Sequence, residues 1–197
     1  MSVLKTLAMP VFYAEGIPRG VSRDTYKLEV DGLVKSAPVA FSFADIEAMP
    51  MATVDARLTS VSGWSLRAEW QGVRFRDFEQ RLVVDPKATH VHFESFGGYT
   101  TCVPLPQLRF EKVLLCYKVA GEYIEVEYGA PLRMFVPQLW GYKSIQGLAR
   151  MVFTDRYRSG FWESRGYTDD AEIEPGFTMD LNTKTRRQIP GGEVTGF

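Results

Sequence analysis

The chain has 197 residues, 45% of them hydrophobic and 13% aromatic, and a formal net charge of -1. That length and apolar content suit one globular domain with a substantial core, and so small a net charge leaves no global field to draw the chain onto nucleic acid or an acidic membrane. Two cysteines, Cys102 and Cys116, lack CxxC spacing, which excludes a disulfide scaffold and fits free thiols in a reducing compartment.

Residues 1–14 carry one lysine and a short apolar run broken by Pro10. With no small-residue cleavage site behind that run, the segment reads as mature sequence, and the cytoplasm is the expected location. No stretch approaches the roughly 18 to 20 apolar residues that span a bilayer. Gly16 to Ser22 lacks hydrophobic periodicity, so residues 1–25 are expected to run as an arm over the surface. Tyr26, Leu28 and Val30 alternate with Lys27 and Glu29, a half-buried strand that ends at the turn signal Asp31-Gly32 and opens a hairpin. Ser42 with Asp45 three positions on forms a capping box for a short helix stopped by Pro50.

Val54, Ala56 and Leu58 alternate with charged and polar neighbours in a strand over Thr53 to Ser60, which ends in the small-residue loop Val61-Ser62-Gly63-Trp64-Ser65. Such a loop is an ordinary turn, and also a place at a sheet's rim where ligands bind. Phe75, Phe78 and Leu82 recur at helical offsets with a charged outer face. His90 and His92 share one side of a strand, roughly 7 Å apart by strand rise. With no third histidine and no cysteine placed beside them, a solvent-facing pair is favoured over a zinc site. Thr101 to Leu105 and Val113 to Tyr117 are apolar runs, the first a strand and the second of strand or buried-helix type, with both cysteines in the core. Ile145 and Leu148 suggest one or two helical turns before a strand at Met151-Val152-Phe153. Beyond Tyr167 the chain turns polar, a tail whose Lys184-Thr185-Arg186-Arg187 cluster is balanced by acids and reads as surface rather than a nucleic-acid site.

GxGxxG, P-loop, HExxH and GxSxG motifs are all absent, so the common nucleotide-binding and hydrolase chemistries lack their parts. One stretch does have the makings of a site. Arg133 lies in an apolar run between Pro131 and Pro137, and Lys143 follows ten positions later in a loop. An arginine on a Pro-flanked backbone loses little freedom in pairing with a phosphate, and the lysine can reach the same anion as a point charge. Arg133 capping an exposed strand end is the plainer alternative.

Six segments together carry a resemblance: Ser60-Val61-Ser62-Gly63-Trp64-Ser65, Trp70-Gln71-Gly72-Val73, Phe93-Glu94-Ser95, Gly98-Tyr99-Thr100, Gly129-Ala130-Pro131-Leu132-Arg133 and Gly141-Tyr142-Lys143-Ser144-Ile145. Over residues 26–167 the chain resembles the molybdopterin-binding domain of the sulfite oxidase family, nearest its short bacterial members and the protein-methionine-sulfoxide reductase branch. The resemblance implies an α+β fold of mixed β-sheets with short helices, with residues 1–25 as the arm and 168–197 as an extended tail packed on the same domain. It implies a molybdenum-molybdopterin cofactor with a single pterin, held by Arg133, Lys143, Ser144, Ile145 and Gln146, with Ser95, Tyr128 and the aromatic pair Phe12 and Tyr13 toward the pterin. The family's strand-end motif begins with a cysteine whose thiolate ligates molybdenum, and Ser60 stands there. Tyr128 replaces the family's usual Asn or His, and Gln146 a frequent Lys. No catalytic residue is assigned. Two functions stay open: oxygen-atom transfer at a Ser60-ligated molybdenum, with a small-molecule substrate and a separate electron donor or acceptor, or a catalytically retired member that keeps the pocket as a binding or interaction protein.

Overall fold

The computed structural model describes residues 2–13, 16–35 and 37–197, so Met1, Ala14 and Glu15 of the expected arm lie outside the described residues. The arm opens with a single helical turn, α1 (Val3–Thr6), capped by the Ser2 hydroxyl. Alternating Leu28 and Val30, both fully buried, make β1 (Lys27–Gly32), which pairs antiparallel with β2 (Val39–Ser42). The capping box then starts α2 (Phe43–Glu47): Asp45 N–H donates to Ser42 Oγ at 3.2 Å and Ser42 N–H to the Asp45 carboxylate at 2.8 Å, satisfying two otherwise orphaned donors.

A long hairpin follows, β3 (Met51–Ser60) against β4 (Trp64–Arg74), leading into α3 (Phe75–Glu79). Next come β5 (His90–Ser95), β6 (Thr100–Pro104), α4 (Leu105–Leu108), β7 (Leu114–Val119) and β8 (Glu122–Tyr123). Gly72 is required where β4 meets β7 at a register shift, because a Cβ there would lie 2.0 Å from the Leu115 carbonyl oxygen. Four strands are still to come: β9 (Arg133–Phe135), β10 (Leu148–Thr154) and β11 (Gly176–Asp180), with β11 turning back as β12 (Thr185–Ile189).

Among the described residues the strands form two sheets. One runs β2-β1-β10-β5-β6, with β1 and β10 parallel; the other runs β12-β11-β4-β7-β8, with β3 also on β4 and β9 on β7. Mixed sheets with short helices are thus what the chain builds. The period-two rule divides β7 between two cores: Leu115 and Tyr117 join Val30, Phe93 and Met151 between the sheets, while Leu114 and Cys116 join Leu58, Trp70 and Phe135 on the far side. The arm closes that far side with Leu4 and Met9, both buried.

Two expectations change. No helix forms at 145–148: Gly147 takes a φ of +58° and Leu148 N–H bonds the Leu132 carbonyl, so β10 already begins at Leu148. The polar tail contributes the hairpin β11–β12, and β11 pairs parallel with β4 at Trp64 and Ser65. Arg57 on β3 reaches the tail through a buried 2.8 Å pair with Asp180.

His90 and His92 are half-buried rather than solvent-facing, and no group of three metal-binding side chains exists among the described residues. Burial, with Arg158 and Arg150 nearby, pulls the His92 imidazole below its ordinary 6.5 despite Glu94 and Glu163. The unfolded chain therefore takes up a proton that the folded one refuses, so stability falls as pH drops through about 6.5. Replacing His92 by Gln is expected to flatten that acid-side loss in urea denaturation series between about pH 7 and 5; an unchanged slope would assign the loss to other groups.

Candidate functional site

A two-lobed cleft opens where the arm crosses the β3–β4 turn and the loops around β10. The smaller lobe is lined by Phe12, Tyr13, Ser95, Tyr99, Ser144 and Ile145, and the larger by Val11, Leu58, Ser60, Val61, Trp64 and Arg133. Phe12, Gly141, Tyr142, Gln146 and Trp162 line both and make the lobes continuous. Eight of the ten residues expected at the site therefore lie on one cleft: Phe12, Tyr13, Ser60, Ser95, Arg133, Ser144, Ile145 and Gln146.

The arm is held over this cleft from both ends of its described stretch. Lys5 Nζ lies 3.2 Å from the carboxylates of both Glu125 and Glu127, and Tyr13 Oη donates to the Val126 carbonyl at 2.6 Å. Phe12 packs on Trp162 with ring centroids 5.7 Å apart. Burial pushes the Tyr13 phenol up to about 12 even with the Arg133 guanidinium close by.

Arg133 opens β9 and is buried, not a cap on an exposed strand end. Its guanidinium donates to the carbonyls of Tyr128 at 2.8 Å, Ser144 at 3.1 Å and, weakly, Met134 at 3.4 Å. Gly129, at φ +109°, makes room beside it, since a Cβ there would crowd both Arg133 and Gln146 at 3.1 Å. Three cations are buried among the described residues: Arg57, Lys143 and Arg133. Arg57 has Asp180 and Lys143 has Glu163. Arg133 has no carboxylate partner among the described residues; the groups that favour its charge are Cys116 and Tyr13, each itself pushed up to about 12 by burial and so neutral at physiological pH. A buried charge without a counterion is costly, and this one lies on the cleft wall with two of its five N–H donors unused.

The loop beside Arg133 adds two donors and an acceptor. The backbone N–H groups of Ile145 and Gln146 find no acceptor among the described residues, and the Gln146 side-chain oxygen is buried without a partner. Ser144 and Ser95 are committed locally: Ser144 Oγ accepts from Val136 N–H and Ser95 Oγ from Tyr99 N–H, both at 2.9 Å. An uncompensated guanidinium, unused amides and aromatic walls suit a ligand that joins an anion to a flat ring.

Two expected contacts are not made by side chains. The Lys143 ammonium points into the interior, 2.5 Å from Glu163 Oε1, because the 3-10 turn Gly141–Lys143 directs it beneath the loop. The Tyr128 ring packs in the far-side core, and only its carbonyl serves, as an acceptor for Arg133. At the other end of the cleft, Ser60 closes β3 opposite Trp64, its Oγ accepting Ser62 N–H at 3.1 Å. Cys102 and Cys116 are buried and line neither lobe, so the cleft wall offers a metal hydroxyl oxygens, that of Ser60 at the end of β3 among them, and no thiol. These donors and rings are of the chemical kind a pterin with an anionic group would need; any metal there would need its remaining donors from the cofactor itself.

Residues 14–162 match the model of the oxidoreductase molybdopterin binding domain. The chain belongs to this family of molybdopterin-binding oxidoreductases. Within the oxidoreductase molybdopterin-binding family it is 36% identical to the oxidoreductase YuiH of Bacillus subtilis over 82% of each chain. It is 27% identical to the protein-methionine-sulfoxide reductase catalytic subunit MsrP of Ralstonia nicotianae over 80% of this chain and half of that one. The fold matches the sulfane dehydrogenase SoxCD of Paracoccus pantotrophus, with a TM-score of 0.68, 21% identity, and coverage of 90% of this chain and 47% of that one.

Trp162, Tyr167 and Glu163 were not foreseen at or beneath the cleft. The aromatic density of Tyr157 to Tyr167 was a usable signal, since rings beyond the last core strand need something to pack on.

Proposed function

We propose that the chain holds one molybdopterin in this cleft and serves oxygen-atom transfer, with Ser60 as the protein's oxygen donor to molybdenum where the family motif has cysteine. The observation that carries the reading is Arg133, the buried cation with no carboxylate partner among the described residues, facing the cleft. Its two unused N–H donors and the amides of Ile145 and Gln146 would take the cofactor's phosphate. Phe12, Tyr13, Ser95 and Ser144 would flank the ring system and exclude water from it. The bound group would supply two-electron redox chemistry.

A small-molecule substrate would enter the larger lobe past Val61, Trp64 and Tyr167 toward Ser60. Electrons would come from or go to a separate partner, a reading supported by the designation of the MsrP relative as a catalytic subunit. No helix among the described residues is long and apolar enough to cross a membrane. A second reading, a binding protein without turnover, draws on the absence of a thiol from the cleft: a serine hydroxyl is much harder to ionise at a metal than a cysteine thiol.

Metal analysis and released-pterin fluorescence on protein made in a molybdate-fed, cofactor-competent host separate the two. About one pterin per chain with stoichiometric molybdenum is expected. Pterin without metal would select the binding protein, and neither would end the proposal.

A further inference from the structure

Beneath the smaller lobe, out of contact with any ligand it would hold, lies a second buried ion pair. Lys143 Nζ meets Glu163 Oε1 at 2.5 Å, and both side chains are completely buried. The same carboxylate oxygen accepts from Thr101 Oγ1 at 2.7 Å, and the ammonium also donates to the Cys102 carbonyl at 2.9 Å. Gly160 makes this possible, because a Cβ there would stand 2.8 Å from Glu163 Oε2. Three chain segments meet at this point: β6, the Gly141–Gln146 loop and the turn at 160–165.

Each of those segments carries a wall of the cleft. Tyr99 precedes Thr101 by two residues, Tyr142 and Ser144 flank Lys143, and Trp162 immediately precedes Glu163. The pair is thus the buried fastening under three walls that, among the described residues, have no strand pairing with one another; nearer the surface Phe161 N–H donates to the Thr100 carbonyl at 2.8 Å and Tyr99 Oη to the Tyr142 carbonyl at 2.6 Å. In a fully desolvated setting a charge pair tolerates little displacement, since moving either partner leaves a bare charge in low dielectric. The family match stops at Trp162, one residue short of the carboxylate.

We propose that Glu163 is a positioning residue for the cleft: through Lys143 and Thr101 it locks the Tyr142–Gln146 wall to the Trp162 wall at the spacing the ligand requires. The ligand is the pterin of the function proposed above, so the test needs one readout that does not depend on it. The buried Arg57–Asp180 pair supplies a control, being an ion pair of the same kind whose members line neither lobe.

Full-length Glu163→Gln, the milder Glu163→Asp and Thr101→Val, and the control Asp180→Asn would be compared with the unaltered chain at a temperature where each is folded. Amide hydrogen exchange is read first. Exchange at 141–147 and at 161–167 is expected to accelerate together by at least about tenfold in Glu163→Gln, less in Glu163→Asp and Thr101→Val, and not in Asp180→Asn. Affinity for a pterin bearing a phosphomonoester, followed by fluorescence titration, is expected to fall by roughly tenfold or more in Glu163→Gln, since misplacing a supporting shell costs that much, and to stay within about twofold in Asp180→Asn. Exchange that rises in one wall alone, or equally in Asp180→Asn, would overturn the assignment, and should Glu163→Gln not fold, the Glu163→Asp and Thr101→Val pair decides by the same criterion. If the unaltered chain binds no pterin, the functional reading falls while the exchange result still judges the positioning role.

Discussion

Arg133→Met is expected to weaken binding of a pterin phosphomonoester by at least about tenfold while costing less stability than Arg57→Met or Lys143→Met. The asymmetry follows from what each cation leaves behind. Removing Arg57 strands Asp180, and removing Lys143 strands Glu163, each a buried carboxylate; breaking a buried pair from one side costs about 3–5 kcal/mol. Removing Arg133 strands carbonyls, chiefly those of Tyr128 and Ser144, at about 1–3 kcal/mol each at most, and relieves the cost of burying an unmatched cation. Anion binding has no such relief. A hydrogen bond to a charged group contributes about 1.5–3 kcal/mol, and 1.4 kcal/mol is already a factor of ten. Urea denaturation of the three variants side by side, with fluorescence titration of the first, gives both numbers. Equal destabilisation in all three would mean that the Arg133 charge is balanced within the protein, and the case for an anion in the cleft would go with it.

Should the unaltered chain hold pterin with little molybdenum, Ser60→Cys is expected to raise the molybdenum content of protein from a cofactor-competent host by about tenfold or more, with pterin content rising less. Position 60 can take the change: it ends β3 half-buried on the cleft wall, and its single side-chain bond, from Ser62 N–H, is one a thiolate can also accept. A thiol near a metal ionises readily and is a soft donor, whereas the hydroxyl is a hard oxygen that holds its proton. Metal unchanged while pterin is present would show that residue 60 is not a ligand position at all. Metal already stoichiometric with serine would leave the variant nothing to raise and would favour the enzyme over the binding protein.

Local rules carried most of the fold. Val54, Ala56 and Leu58 alternate in the sequence and alternate into the core, and Ser42 with Asp45 forms the box that its spacing announces. Where pairing is distant the same rules failed. Four of the five residues of β12 are exposed, so its composition reads as tail, and only its partner β11, lying parallel to β4, makes it a strand. Leu148 belongs to a helical spacing that Gly147 interrupts. At the site, Arg133 was legible because prolines and an apolar run surround it. Lys143 looked like its companion because a lysine in a Gly-led loop is ordinarily solvated; nothing within its own segment reveals that Glu163, twenty positions on, waits beneath it. Trp162 lay outside every pattern read, since its role depends on Phe12 crossing from the other terminus.

That crossing sets a clock. The strip from Met9 to Tyr13 forms one side of the cleft, and the same strip is rooted in the far-side core through Leu4 and Met9. A molecule seated in the smaller lobe, beside Phe12 and Tyr13, would be loosened whenever the strip peels, so its residence time would depend on an unfolding equilibrium of a dozen residues as well as on the contacts the molecule itself makes. Affinity and exchange rate are thereby separately adjustable: changes at Leu4 or Lys5, remote from the ligand, would alter how long it stays with little effect on how well it fits.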